Sequence, residues 1–487
     1  MTYEPGASRA KRFRRTGPLS LLAAALVFCT ATGARNQEVD PPVADSACRP
    51  SRSAPATPAS SPQPTGRADT PAPDFDGDGH PELLLDVPAG NGDVYQTGRI
   101  ALLEGSAHGP APGHRTVFTP KDFDLPKHVG MIGTRPAPTV ADLDGDGHLD
   151  LVAGGYAHVQ WGGPHGPRRD HRPTPIALPH RGKNPVAVGK TNETYGEPPV
   201  AGDFDGDGHA DLATYRTGLN KRRLVVLHGP FTRTGKPART SERADPDPRG
   251  TDAVPDLQMF AAQVTGGHAT DLLVYRPGEP DRPLLLAGGA KTETGLAKKP
   301  ERLPPGESIA VGDFDGDNRP DVALGDSGIP TDEEKEPADR KGRVTIRYGK
   351  APLAPVVIEG GTRKGGFGIG LVAGDLNGDG CDDLAVARAP DRWGNSGSVD
   401  VLRGGSSPGL GSRPWHHLRR SHHAPGTTAD DPDSWAGHPV GAADLDGDGH
   451  DELLMATAGQ PHFACNWWIV DGTGRDAASF DTGDLAR

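Results

Sequence analysis

Six nine-residue segments of this 487-residue chain place oxygen-bearing side chains at positions 1, 3, 5 and 9, with glycine at position 4 and, in five of them, at position 6. They are Asp74-Phe-Asp-Gly-Asp-Gly-His-Pro-Glu82, Asp142-Leu-Asp-Gly-Asp-Gly-His-Leu-Asp150 and Asp203-Phe-Asp-Gly-Asp-Gly-His-Ala-Asp211. The others are Asp313-Phe-Asp-Gly-Asp-Asn-Arg-Pro-Asp321, Asp375-Leu-Asn-Gly-Asp-Gly-Cys-Asp-Asp383 and Asp444-Leu-Asp-Gly-Asp-Gly-His-Asp-Glu452. Carboxylates packed this densely repel one another, so a compact loop needs a dication, and an all-oxygen donor set suits calcium. Glycine supplies the positive φ angles of a tight ligand loop.

The flanking sequence decides which kind of loop this is. An EF-hand continues to a bidentate glutamate at position 12 and lies between helices. Position 12 of the third loop is Thr214, and the loops are too far apart for a paired dockerin-type module. Short apolar runs follow the loops, such as Asp321-Val-Ala-Leu324 and Asp383-Leu-Ala-Val-Ala387, and others precede them, such as Ser308-Ile-Ala-Val-Gly312. Strand, acidic loop, strand is a hairpin braced by a metal.

A third apolar strand ending in glycine or a turn recurs seven times, for example Arg223-Leu-Val-Val-Leu-His-Gly229 and Ser398-Val-Asp-Val-Leu-Arg-Gly404. The seventh loop is degenerate. Gln263-Val-Thr-Gly-Gly-His-Ala-Thr-Asp271 keeps Asp271 but replaces three ligand positions with Gln263, Thr265 and Gly267. Loop starts then fall at 74, 142, 203, 263, 313, 375 and 444. Fourth strands are expected at Thr116-Val-Phe118, Pro175-Ile-Ala-Leu178 and Val356-Val-Ile358. Four strands in each of seven units predict an all-β, seven-bladed β-propeller of four-stranded blades over residues 73–487. Such a chain is too long for one core, and blade-on-blade contacts supply seven small ones. Its 68 glycines and 50 prolines suit the many turns this requires.

Gly366-Phe-Gly368 followed by Leu371-Val-Ala-Gly-Asp-Leu-Asn-Gly-Asp-Gly-Cys-Asp-Asp-Leu-Ala-Val386 resembles the FG-GAP (VCBS-like) repeat of the integrin α-chain propeller and its bacterial relatives. Tyr195-Gly196 stands where Phe-Gly would precede the third loop. The resemblance implies a loop joining the first two strands of each blade, with calcium held by side chains at positions 1, 3, 5 and 9. It assigns Asp74, Asp76, Asp78 and Glu82; Asp142, Asp144, Asp146 and Asp150; and Asp203, Asp205, Asp207 and Asp211. It likewise assigns Asp313, Asp315, Asp317 and Asp321; Asp375, Asn377, Asp379 and Asp383; and Asp444, Asp446, Asp448 and Glu452. At position 7, His80, His148, His209, Arg319, Cys381 and His450 would lend only backbone carbonyls. The chain departs from the integrin pattern in carrying six intact loops and no leg-domain material, and its first repeat lacks a strong leading strand.

The N-terminus places Arg9, Lys11, Arg12, Arg14 and Arg15 before an apolar run from Leu19 to Cys29 and then small residues, the order of a secretory signal peptide over residues 1–34. The apolar run is too short for a membrane span. Cys29 follows bulky Phe28, which favours ordinary cleavage over lipid attachment. Residues 35–72, rich in Pro, Ala, Ser and Thr, read as a disordered spacer. Cys48, Cys381 and Cys465 remain after processing, and Cys381 and Cys465 lie in neighbouring blades where they could meet.

Formal charge is −13; removing residues 1–34, with five basic and one acidic residue, gives −17, and six calcium ions would return it to −5. This acidity argues against nucleic acid as a partner. Trp415-His-His-Leu-Arg-Arg-Ser-His-His423 invites a transition-metal reading but is better read as an exposed basic loop in an inter-strand connection. Trp393 and Trp435 are candidates for sugar stacking or plain packing, and Trp467-Trp468 reads as an inner-strand pair. No nucleophile elbow, metalloprotease helix or nucleotide loop is present. The expected function is an exported, secreted or cell-surface, monomeric binding or adhesion module for a protein or cell-surface glycan, with mainly structural calcium. The alternative is a hydrolase or lyase on carbohydrate or phosphodiester substrates carried on the same propeller.

Overall fold

The computed structural model describes Cys48 and residues 73–485 apart from the segments 88–98, 125–138, 154–157, 180–193, 196–198, 219–220, 248–256, 277–281, 330–338, 350–354, 389–396, 407–408, 423–434, 460–462 and 482–484. The leader, the spacer apart from Cys48, and Trp393 lie outside the described residues.

Seven antiparallel sheets are present among the described residues, one per sequence repeat. Blade 5 is representative: Ser308–Gly312, Asp321–Asp326, Lys341–Arg347 and Val356–Arg363 pair in simple meander order. Blade 6 repeats it with Leu371–Gly374, Asp383–Arg388, Ser398–Leu402 and Pro414–Leu418. Blade 1 begins at Leu83–Val87, and its sheet has three strands among the described residues. This agrees with the weak leading segment of the first repeat.

The apolar runs after the loops are continuous rather than alternating because both faces of each sheet are covered. Side chains alternate along a strand, so neighbouring residues enter different interfaces. In blade 4, Leu272 and Val274 join Ala213 and Tyr215 of blade 3, whereas Leu273 joins Val322 and Leu324 of blade 5. Among the described residues, the buried apolar side chains fall into seven clusters, each spanning one blade interface. One of them closes the ring. It joins Leu83, Leu85 and Leu103 of blade 1 to Leu445, Leu454, Trp467 and Ile469 of blade 7. Arg115 Nε also donates to the Leu485 carbonyl oxygen across that seam (3.1 Å).

One expectation is met and one is corrected. Trp467 and Trp468 lie on the third strand of blade 7, Phe463–Val470, which is paired on both sides as expected of an inner strand. Trp467 packs into the closing core and Trp468 against the blade 6–7 core, because adjacent strand residues face opposite sides. The segment from Trp415 to Leu418 belongs to the outer strand of blade 6, where His417 Nδ1 lies 2.6 Å from Asp400 Oδ1. A histidine- and tryptophan-containing segment has no apolar alternation, so its edge-strand character was hidden.

The second residue of every loop is apolar, and it plugs the interface with the following blade. Phe204 sits in the blade 3–4 core, Phe314 in the 5–6 core and Leu445 in the closing core. Phe314→Ala is therefore expected to cost about 3–5 kcal/mol, measured by denaturant unfolding in calcium. A cost below about 1 kcal/mol would show that the loop is not anchored through this side chain.

Candidate metal centres

Except in blade 1, where no strand precedes the loop among the described residues, each loop joins the first and second strands of its blade, from Ser308–Gly312 to Asp321–Asp326 in blade 5, for example. The position-1 carboxylate folds back over the turn. Asp203 Oδ1 accepts the N–H groups of Gly206 (2.7 Å) and Asp207 (3.0 Å), and its Oδ2 accepts that of Gly208 (2.9 Å). The position-5 carboxylate accepts the position-7 N–H, as Asp207 does from His209 (3.0 Å) and Asp379 from Cys381 (3.0 Å). The position-9 acid ties the loop to the blade. Asp150 Oδ2 accepts from Leu143 N–H (2.9 Å), and its Oδ1 accepts from Gly162 N–H (2.7 Å) at the end of the third strand. Asp321 and Asp211 make the same pair of bonds. The third-strand glycine thus serves the first hairpin.

These bonds bring the expected acids together. Donor oxygens of Asp74, Asp76, Asp78 and Glu82 lie within 4.8 Å of one another, as do those of Asp142, Asp144 and Asp146 and those of Asp203, Asp205 and Asp207. The charge is poorly tolerated by the protein alone. Burial, reinforced by the neighbouring carboxylates, pushes Glu82, Asp150 and Asp383 up to about 7 and Asp321 and Glu452 up to about 8. Two position-3 oxygens, Asp144 Oδ1 and Asp205 Oδ1, are buried with no hydrogen-bond partner. A buried carboxylate oxygen without a donor is costly, and a cation resolves that cost. Arginine supplies part of the compensation at some loops: Arg233 contacts Asp144 (2.5 Å) and Asp146, and Arg403 lies 3.0 Å from Asp379.

The degenerate loop provides the contrast. Asp271 Oδ2 accepts the N–H groups of Val264 and Thr265 (both 2.7 Å), and Oδ1 accepts the Thr265 hydroxyl (3.0 Å) and Gly288 N–H (2.8 Å). Gln263 Nε2 donates to the His268 carbonyl oxygen (3.0 Å). Neutral side chains satisfy this loop from within. The donor chemistry of the other six fits a hard dication.

Neighbouring loops also interlock, which sequence reasoning missed. At three junctions the residue at position 8 of one loop pairs with position 1 of the preceding loop. Asp382 N–H donates to the Asp313 carbonyl oxygen (2.9 Å), and Asp313 N–H donates back to Asp382 Oδ2 (2.8 Å). Asp451 and Asp375 repeat this arrangement, and Thr270 does the same for Asp203 through its hydroxyl. Beneath these side chains lie Gly312, Gly374 and Gly202, where an added Cβ would stand 2.8 Å from Asp382 Oδ2, 2.8 Å from Asp451 Oδ2 and 2.6 Å from Thr270 Cγ2. Where position 8 is Ala210, Pro320 or Pro81, the facing residue is Ala141, Ala262 or Ala443. That pairing of glycine with Asp or Thr, and of alanine with Ala or Pro, was a readable signal.

Position 7 contributes its side chain to the same ring. His450 lies over Gly378 of the preceding loop, His209 over Gly145, and His80 over Gly447 across the closing seam. Cys381 lies over Gly316 and forms a disulfide with Cys48, Cα–Cα 5.4 Å. The expected meeting of Cys381 with Cys465 is therefore corrected. Position 7 turns toward the preceding blade, whereas Cys465 lies on the third strand of the following one.

Residues 367–402 match the FG-GAP repeat family. No curated protein matches the chain. Among solved structures, an Agrocybe aegerita lectin, studied for specific recognition of non-reducing terminal N-acetylglucosamine, is 15% identical with a TM-score of 0.45, covering 80% of this chain and 91% of its own. A mutant of Synechocystis apocarotenoid oxygenase is 12% identical with a TM-score of 0.31, covering 85% and 86%.

Two measurements test this geometry. Gly202→Ala, whose nearest neighbours all belong to Thr270, is expected to destabilise by about 1–3 kcal/mol through overpacking, and Thr270→Ala in the same chain to recover at least about 1 kcal/mol of the summed losses. Simple additivity would contradict the contact. For pH, acids raised in the folded state favour their protonated form, so the stability they contribute is full at low pH and lost as pH rises through about 7–8. Calcium-depleted protein should lose melting temperature between about pH 5 and pH 8, whereas millimolar calcium should abolish that fall. Parallel profiles would contradict the cation's role.

Proposed function

From the premise that this chain is an FG-GAP repeat protein folded as a seven-bladed β-propeller, we propose that it is an exported, monomeric, calcium-braced binding or adhesion module for a protein or cell-surface glycan. The observation that carries this reading is the unequal construction of the two faces. In an antiparallel meander the turn from first to second strand and the turn from second to third strand lie at opposite ends. One end is committed to the acidic loops, three neighbouring pairs of which are bonded to one another. At the other end the second-to-third connections vary freely in length, from residues 219–220 in blade 3 to residues 327–340 in blade 5. Binding sites concentrate on variable loops held by a rigid scaffold.

Calcium in this reading is structural. Exported calcium modules bind with dissociation constants of about 0.1–1 mM, so millimolar calcium adds about 0.4–1.5 kcal/mol per site. Six such sites together are comparable with a typical net stability of about 5–15 kcal/mol. The Cys48–Cys381 disulfide supports an oxidising, extracellular setting. No helix among the described residues is long and apolar enough to cross a membrane.

A glycan and surface-protein array, probed with the purified propeller in calcium and in chelator, tests the proposal. A reproducible ligand class retained in calcium, and lost when connection 327–340 is replaced by a short turn, is the expected result. Binding of no member, or binding indifferent to that replacement and to its counterparts in the other blades, would overturn it.

A further inference from the structure

The loop at Asp142 carries a cation of its own. In blade 3 the connection from the third to the fourth strand turns through Gly229-Pro-Phe-Thr-Arg-Thr-Gly235, at the same end of the blade as the acidic loop. It lies against blade 2. Phe231 N–H donates to the Leu143 carbonyl oxygen (2.7 Å), and Ala177 N–H, just after the fourth strand of blade 2, donates to the Gly235 carbonyl oxygen (2.8 Å). The Thr174 hydroxyl donates to the Arg233 carbonyl oxygen (3.3 Å). Phe231 is buried in the same core as Leu143. The fit is close: an added Cβ at Gly235, where φ is +78°, would stand 2.1 Å from the Pro175 carbonyl oxygen.

Arg233 is thereby aimed at the loop by its own backbone. Its Nε donates to Asp144 Oδ2 (2.5 Å) and its Nη2 to Asp146 Oδ2, and the guanidinium carbon lies 5.9 Å from the centre of the Trp161 ring. Asp144 and Asp146 are positions 3 and 5, two of the four expected ligands. Arg239 and Arg403 each reach only one carboxylate of their loops, Asp205 (2.7 Å) and Asp379 (3.0 Å). Among the described residues, no arginine contacts the acids of the loops at Asp74 and Asp444.

A guanidinium fork set across two carboxylates makes charge-assisted bonds in a geometry that suits it. Exposed ion pairs usually contribute little, because two mobile side chains must be ordered. Here the turn is already fixed, and the Asp144 side chain is only 8% exposed. The arginine supplies one positive charge where a dication supplies two, and it draws on the same carboxylates. It therefore lowers both the loop's need for calcium and its affinity for it.

We propose that Arg233 is a resident counter-ion of the loop at Asp142, holding that loop in shape when calcium is withdrawn and weakening calcium there. The inference rests on the calcium reading of the loops and deepens it: the six loops do not empty as equals, and blades 2 and 3 stay joined where other junctions loosen.

Peptide-resolved hydrogen exchange of the full propeller, in millimolar calcium and in chelator, is the test. On chelation, exchange of residues 74–82 and 444–452 should accelerate at least about tenfold, and that of residues 142–150 by much less. In Arg233→Gln, residues 142–150 should accelerate like the other two segments, and added calcium should restore them. Equal acceleration of all three segments in the wild type overturns the inference and leaves the calcium reading standing, as does a variant that behaves like the wild type. No acceleration in any segment overturns both. Should the variant not fold, the comparison of the three wild-type segments decides alone.

Discussion

Carboxylates buried beside one another are the constraint on which this propeller depends. Asp150, Asp321 and Asp383 are fully buried, yet Asp150 and Asp321 must each hold their loop to the blade through two backbone N–H groups, and Asp383 through the Gly404 N–H and the Asn377 side-chain amide. An acid can accept both bonds in its charged form only if its charge is compensated. Neutral hydrogen bonding achieves this around Asp271, and arginine supplies part of it elsewhere. A dication among the acidic clusters would complete it.

The same loops carry the ring. Their second residues fill the interfaces with the following blades, the first residues of three of them pair with position 8 of the next loop, and glycines of four lie beneath its position 7. Anything that stiffens one loop therefore acts on two blades. This matters most where blade 1 meets blade 7. The described residues close that seam by side-chain packing, His80 over Gly447 and one arginine bond, rather than by a strand shared between the ends of the chain.

Most of this architecture was legible because the signals are local and repeated. The acidic spacing, the apolar runs around it and the glycine-terminated third strands give seven units without reference to tertiary structure. The missed features need knowledge of which blade faces which. Cys381 turns toward the loop at Asp313, so its partner is Cys48 rather than a cysteine of the following blade. Arg233 reads as an ordinary turn residue until its turn is seen to lie on the acidic loop of the preceding blade. The alternation of Gly202, Gly312 and Gly374 with Ala141, Ala262 and Ala443 becomes meaningful only beside the next repeat's eighth position. The outer strand at Pro414–Leu418 lacked a pattern because only Leu418 of it is buried.

Amide hydrogen exchange at the inter-loop bonds reports this coupling most directly. The N–H groups of Asp313, Asp375, Asp382 and Asp451 each donate across a blade interface and touch no metal. Their protection should be high in calcium and fall together on chelation, while amides central to the second strands exchange more slowly throughout. Protection at these four amides that is indifferent to calcium would contradict the account.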